Sequence, residues 1–132
     1  MILKGHKVTG GSAQGEAVVL ESPFSFFGGV DTQTGELTAG PLAGTSIKGK
    51  VFVFPQGRGS TLAPYTAFAT MANAAGPAAI LCRQADGVVA LLSIITRIPT
   101  LDRLEPDPIE SIKNGDLVKV NADDGTVEVI SK

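Results

Sequence analysis

The sequence predicts an α/β fold in which compact β-sheet layers carry one or two packed helices. Three observations predict it. Val51-Phe52-Val53-Phe54 is an unbroken apolar run of strand length closed by Pro55, a glycine turn with a helix-spaced series follows, and Ala78-Ala79-Ile80-Leu81-Cys82 is a second buried run. Strand, helix and strand over residues 51–82 form a parallel unit that closes as a right-handed crossover. With 132 residues, 16 Gly and 8 Pro, the chain has the size of one domain spanning 1–132.

Lys7-Val8 ends a first strand, Thr9 to Gln14 reads as a turn, and Gly15-Glu16-Ala17-Val18-Val19-Leu20 reads as the next strand. From Ser22 to Gly49 the breakers Pro23, Gly28-Gly29, Gly35, Gly40-Pro41 and Gly44 predict a long irregular segment, which in so small a domain points to function. Val51–Phe54 is the expected central strand. After it, Tyr65, Phe68, Ala69 and Ala72 fall at helical spacing, with Ser60 or Thr61 as N-cap, Pro64 in the first turn and Gly76-Pro77 as the stop. Val88–Ile98 is apolar but rich in Val and Ile, so helix and strand both remain open, and Pro99 ends it. Pro106 and Pro108 mark an extended connection. Leu117–Val120 and Thr126–Ile130, joined through Asp124-Gly125, form a hairpin. Aromatics are only 5%, without Trp, which predicts a core of small side chains.

Eleven basic and thirteen acidic residues give a net charge of -2, and neither sign forms a block, so neither nucleic acid nor an anionic membrane is an expected partner. Cys82 is the only cysteine and His6 the only histidine. A chain so equipped makes no internal disulfide and holds no iron–sulfur cluster or structural zinc by itself. No signal-peptide core is present and no run reaches the roughly 18 apolar residues of a membrane span, which predicts a cytoplasmic protein.

Gly57-Arg58-Gly59-Ser60-Thr61 is the segment richest in chemistry. Glycines let backbone N–H groups approach a ligand, a helix N-terminus favours an anion, and Arg58 can add a bidentate contact to carboxylate or phosphate. The competing reading is that Gly57 and Gly59 only permit the turn and Ser60 only caps the helix. His6 lies far away in the sequence and reads as solvated, which argues against a self-contained Ser-His-Asp triad. Asp31 and Glu36 are a candidate carboxylate pair or metal ligands, but a Thr-Gly turn flanked by solvated acids is the stronger reading. Phe24, Phe26 and Phe27 put half of the six phenylalanines in the irregular segment, as a satellite core or as a contact surface for another chain; we expect Phe24–Val30 to contact another chain. Cys82 reads as a buried small apolar residue.

Ser25-Phe26-Phe27-Gly28-Gly29-Val30-Asp31, Thr34-Gly35, Pro41-Leu42, Gly44, Ser46-Ile47-Lys48-Gly49-Lys50-Val51 and Pro55 with Gly57-Arg58-Gly59-Ser60 together resemble the small subunit of the aconitase X family. Leu37-Thr38-Ala39-Gly40 departs from that pattern. The resemblance implies a swivelling β/β/α domain of the aconitase-like type. It also implies a large catalytic subunit that carries the iron–sulfur cluster and pairs with this chain as a heterodimer. By the same likeness Ser60 is the proton acceptor; the chemistry of the turn adds Arg58, Gly59 and Thr61 as expected substrate-binding residues, and the lone cysteine and histidine lead us to expect no metal on this chain. The implied substrate is a small phosphorylated hydroxy acid. Archaeal members of this kind take water from mevalonate 5-phosphate to give trans-anhydromevalonate 5-phosphate in isoprenoid synthesis, and bacterial relatives dehydrate cis-3-hydroxy-L-proline. Gly10 to Ala17 and Asn114 to Val118 also resemble phosphohistidine swivel domains, but residues 57–76 contain no histidine to carry the phosphate. A non-catalytic binding module of the same fold is the other alternative.

Overall fold

The computed structural model describes residues 1–130. In chain order the elements are β1 (Ile2–Thr9), β2 (Ser12–Val19), a single irregular turn α1 (Phe26–Gly29), β3 (Val51–Phe54), α2 (Ala63–Ala72), β4 (Ala79–Cys82), α3 (Gly87–Thr96), β5 (Thr100–Glu105), α4 (Pro108–Ser111), β6 (Leu117–Asn121) and β7 (Thr126–Ile130). The expected sheet layers curl into a closed barrel in the order β1, β5, β4, β3, β2, β6, β7, with β7 pairing back to β1. β2, β3, β4 and β5 run parallel, β1 and β6 flank them antiparallel, and β7 closes the ring by pairing antiparallel with both β1 and β6. The expected crossover is present: β3 and β4 pair in parallel through Val51–Ala79 to Phe54–Cys82, with α2 between them in sequence.

β3 shows why its apolar run is continuous. Successive side chains on a strand face opposite ways. Val51 and Val53 join Leu3, Leu81, Leu101, Val118 and Val127 in the barrel interior, whereas Phe52 and Phe54 pack with Ala63, Ala67, Val89 and Leu92 in the layer between barrel and helices. Both faces of the strand are therefore dry.

The turn expected over Thr9 to Gln14 shrinks to Gly10-Gly11, because Ser12, Ala13 and Gln14 pair with Asn121, Val120 and Lys119 of β6. α2 forms, but with the opposite face inward. Ala63, Ala67 and Thr70 are buried, while Tyr65 and Phe68 are 75% and 57% exposed. Small side chains let the helix lie close to the barrel, and the bulky ones of the expected apolar series are left outside. Leu62, rather than Ser60 or Thr61, is the N-cap of α2 and makes no side-chain capping bond. Residues 87–96 settle as helix α3, capped by Asp86, whose carboxylate accepts the Val89 N–H at 2.8 Å. Packing and that cap outweigh the β propensity of Val and Ile. The extended connection around Pro106 and Pro108 is confined to residues 106–107, since β5 runs to Glu105 and Pro108 opens α4.

The core is not built of small side chains alone. Phe24 stacks edge-on against Phe26 (5.1 Å) and Phe52 (4.8 Å), and Phe52 lies 5.0 Å from Phe54. The 22–49 segment, irregular as expected, is accordingly part of the core, with Phe24, Phe26, Val30, Leu37 and Ile47 all buried. Short bridges between Val30 and Leu37 and between Glu36 and Ser46 hold it together. Of the two readings of this cluster, the core one holds for Phe24 and Phe26, which are internal together with Val30, and of the three phenylalanines only Phe27 is exposed, at 48%.

Phe26→Ala is expected to cost about 3–5 kcal/mol of stability and Phe27→Ala under about 1 kcal/mol, read from urea unfolding midpoints at unchanged slope. Equal losses would show that the segment is not divided in this way.

Candidate functional site

Parallel strands gather their following loops at their carboxyl ends, where α/β proteins commonly place ligands. Here β2 leads into Glu21-Ser22, β3 into Gln56–Thr61, and β4 into Arg83–Asp86, while Asp102 lies on β5 just past its pairing with β4. The glycine turn is fastened at this edge from two sides. From one side, Phe24 N–H donates to the Gln56 carbonyl (3.0 Å), Arg58 N–H to the Phe24 carbonyl (2.9 Å), and the buried Ser25 hydroxyl to the Gly59 carbonyl (3.0 Å). From the other side the start of α3 presses on Gly57, where a Cβ would stand 2.6 Å from Asp86 Oδ2 and 2.9 Å from a Val89 methyl.

Between these supports the backbone turns left-handed twice, at Gly59 (φ +91°) and at Ser60 (φ +82°). For glycine this is free, but for serine it costs about 1–2 kcal/mol. Strain of that kind persists where surroundings enforce it, and it gathers at functional positions. The result is an exposed Ser60 whose Oγ accepts the Leu62 N–H at 3.2 Å and whose carbonyl accepts the Ala63 N–H at 3.1 Å. Among the described residues, the N–H groups of Gly59, Ser60 and Thr61 meet no acceptor. Open backbone donors and a hydroxyl on one turn are groups that can stabilise negative charge.

Arg58 is exposed and lines a cavity of about 140 Å³ with Ser22, Phe24, Gly28, Gly29 and Thr38. The other arginines flanking this edge are occupied. Arg83 meets Asp107 at 2.8 Å, a hydrogen bond that holds the Asp107 carboxyl below the usual carboxylate range, and Arg103 lies 3.8 Å from Asp102. Among the described residues Arg58 has no carboxylate partner, so its fork is open to an anionic ligand. Thr61 instead lines a second cavity, of about 440 Å³, with Pro64, Tyr65, Phe68, Leu91 and Ile95. The structure thus brings Ser60, Gly59 and Arg58 onto one turn and places Thr61 at its junction with an apolar cleft.

His6 is not simply solvated. Its Nδ1 lies 2.9 Å from Oδ1 of the buried Asp102, whose Oδ2 accepts the Ala85 N–H at 3.0 Å. Asp102 therefore anchors the loop that carries Asp86 to the back of Gly57. Neither that pair nor the Ser25 clasp could be read from spacing, because 96 residues separate His6 from Asp102 and 34 separate Ser25 from Gly59. Asp31 caps its own turn by accepting the Gln33 and Thr34 N–H groups, and Glu36 is exposed. Cys82 is buried, and burial pushes its thiol well above the usual range, so it stays protonated and poorly suited to bind iron. Among the described residues no cluster of three or more His, Cys, Asp or Glu side chains is arranged to hold a metal. The donor set of this chain does not fit an iron–sulfur cluster.

Residues 2–129 match the family model of the aconitase X swivel domain. The phosphomevalonate dehydratase small subunit of Methanosarcina acetivorans is 45% identical over 130 residues, covering 97% of this chain and 90% of that one. A crystal structure of Thermococcus kodakaraensis aconitase X in its holo-form superposes with a TM-score of 0.93 at 41% identity, covering 99% of each chain. A 3-isopropylmalate dehydratase structure from Methanocaldococcus jannaschii has a TM-score of 0.61 at 16% identity, covering 92% of this chain and 83% of that one, and shares the fold alone.

Ser60→Gly and Ser60→Ala both remove the hydroxyl and its bond to Leu62, so their difference isolates the backbone. Ser60→Gly is expected to unfold in urea with a stability about 1 kcal/mol above that of Ser60→Ala. A less stable Ser60→Gly would show that the left-handed serine carries no strain.

Proposed function

The chain belongs to the aconitase X swivel-domain family, and from that premise we propose that it is the small subunit of a two-subunit hydro-lyase, phosphomevalonate dehydratase, with Ser60 as the proton acceptor. The reaction converts mevalonate 5-phosphate to trans-anhydromevalonate 5-phosphate. The observation that carries the residue assignment is Ser60 itself: a strained, exposed serine with a backbone donor already on its Oγ, in a turn whose N–H groups at residues 59–61 meet no acceptor among the described residues.

Dehydration needs a base for a C–H proton and an acid for the leaving hydroxyl. In this reading Ser60 Oγ takes the proton from the carbon between the carboxylate and the carbinol carbon. The C–H electron pair becomes the double bond, the C–O pair leaves with oxygen, and one further proton makes water. A serine is far too weak an acid to ionise unaided. The Leu62 N–H, the open N–H groups of residues 59–61 and the positive end of the ten-residue α2 favour its alkoxide. Arg58, unpaired beside its cavity, grips the carboxylate or phosphate of the substrate, and Gly59 lets the backbone approach it.

Among the described residues no cluster is arranged to hold a metal for the leaving-group half. That half, with the iron–sulfur cluster, belongs to the large subunit, and the relatives' designation as small subunits supports such a partner. No helix among the described residues is long and apolar enough to cross a membrane, and a cytoplasmic enzyme is part of the same reading.

The test is steady-state dehydration of mevalonate 5-phosphate by the assembled pair. Ser60→Ala is expected to keep pairing, checked by size exclusion, yet lose about a hundredfold or more in kcat. Arg58→Lys, which keeps charge but loses the planar fork, is expected to raise KM. Near wild-type turnover by assembled Ser60→Ala would remove the proton-acceptor assignment.

A further inference from the structure

α2 (Ala63–Ala72) and α3 (Gly87–Thr96) together contain no Asp, Glu, Lys or Arg. Their inner faces pack on the barrel through Ala63, Ala67, Val89 and Leu92. Their outer faces carry Tyr65, Phe68, Leu91, Ile94 and Ile95, exposed by 46–75%. An outer helix face normally carries charge, because apolar groups left in water forgo the gain of burial. A contiguous apolar exposure of this kind marks an interaction site.

The patch is not flat: Thr61, Tyr65, Phe68, Leu91 and Ile95 line a cleft of about 440 Å³ between the two helices, able to receive a protruding apolar side chain. Thr61 belongs both to that cleft and to the Ser60 turn, so whatever fills the cleft ends beside Ser60. Leu62, 48% exposed, continues the apolar surface on the helix side of the turn.

We propose that the outer face of α2 and α3 is the docking surface for the large subunit, which inserts an apolar, uncharged ridge into the cleft and thereby brings its own catalytic groups to the Ser60 edge. The inference rests on the two-subunit reading above and adds the surface and its chemistry. Continuity with the site selects this occupant. A second copy of the chain on the same face would bring no leaving-group chemistry to the Ser60 edge. Docking here also accounts for the absence of charge on both helices, since a buried unpaired charge at an interface core is costly.

The experiment uses the full-length chain co-expressed with its large subunit, reading the dissociation constant of the pair by size exclusion and calorimetry. Phe68→Glu and, separately, Tyr65→Glu are expected to weaken pairing by about a hundredfold, whereas Phe68→Leu pairs as the parent does. Ile2→Glu, on an apolar residue of β1 that is also 50% exposed, is expected to leave pairing unchanged. Circular dichroism of each isolated variant verifies the fold, and having two independent exposed positions guards against a single misfolded variant. Wild-type pairing by folded Phe68→Glu and Tyr65→Glu overturns the proposal. It is equally overturned if the isolated chain is a homodimer that Phe68→Glu dissolves while pairing with the large subunit survives. Activity of the wild-type pair on mevalonate 5-phosphate is recorded separately, so a wrong substrate leaves the pairing result standing.

Discussion

The ring of Phe24 lies 4.8 Å from that of Phe52 and 5.1 Å from that of Phe26, nearly perpendicular to both, and the candidate site depends on that contact. Phe52 belongs to β3, whose next residues form the glycine turn. Phe24 belongs to the irregular segment that crosses over the turn. Locking the two rings together sets the Phe24 carbonyl against the Arg58 N–H and the Ser25 hydroxyl against the Gly59 carbonyl. Edge-to-face aromatic pairs add about 0.5–1.5 kcal/mol beyond their buried area, comparable to the backbone cost of a left-handed serine. The core thereby holds Ser60 in a conformation that it would not adopt by itself.

A second support comes from behind. The buried Asp102 carboxylate bridges His6 and the Ala85 N–H, and Asp86 both caps α3 and lies against Gly57. The turn is thus held between a clasp made of the 22–30 segment and a helix start fixed by a buried acid. What stays open is chemically coherent: a hydroxyl, three N–H donors and an unpaired guanidinium. These groups stabilise negative charge and lie at an edge bordered by an uncharged helical face, which suits the proton-accepting half of the proposed dehydration.

Much of this was legible in the sequence. The strand-helix-strand unit over residues 51–82, the closing hairpin and the glycine turn followed from apolar runs and breakers, and the family from the ordered motifs of residues 15–60. What periodicity could not supply was which way elements face. The spacing of Tyr65, Phe68, Ala69 and Ala72 marks a helix whichever side is buried, and only the closeness of α2 to the barrel makes Ala63 and Ala67 the inner face. In the same way, three clustered phenylalanines read as surface or core until the partner ring, Phe52, is known to lie on the outward face of β3. The long-range pairs, His6 with Asp102 and Ser25 with Gly59, depend on barrel closure and leave no local trace. The left-handed φ of Ser60 was hidden because serine is an ordinary turn residue.

If Ser60 takes the proton in the dehydration, deuterium in place of that hydrogen reads the step directly. Mevalonate 5-phosphate deuterated at the carbon between carboxylate and carbinol is turned over by the assembled pair carrying Ser60 or Ser60→Ala. Loss of the proton acceptor makes C–H cleavage limiting, so slow turnover with a deuterium isotope effect clearly larger than that of the wild type is expected. Turnover and isotope effect both unchanged in Ser60→Ala would contradict it, and would leave the serine as a strained residue with no part in the chemistry.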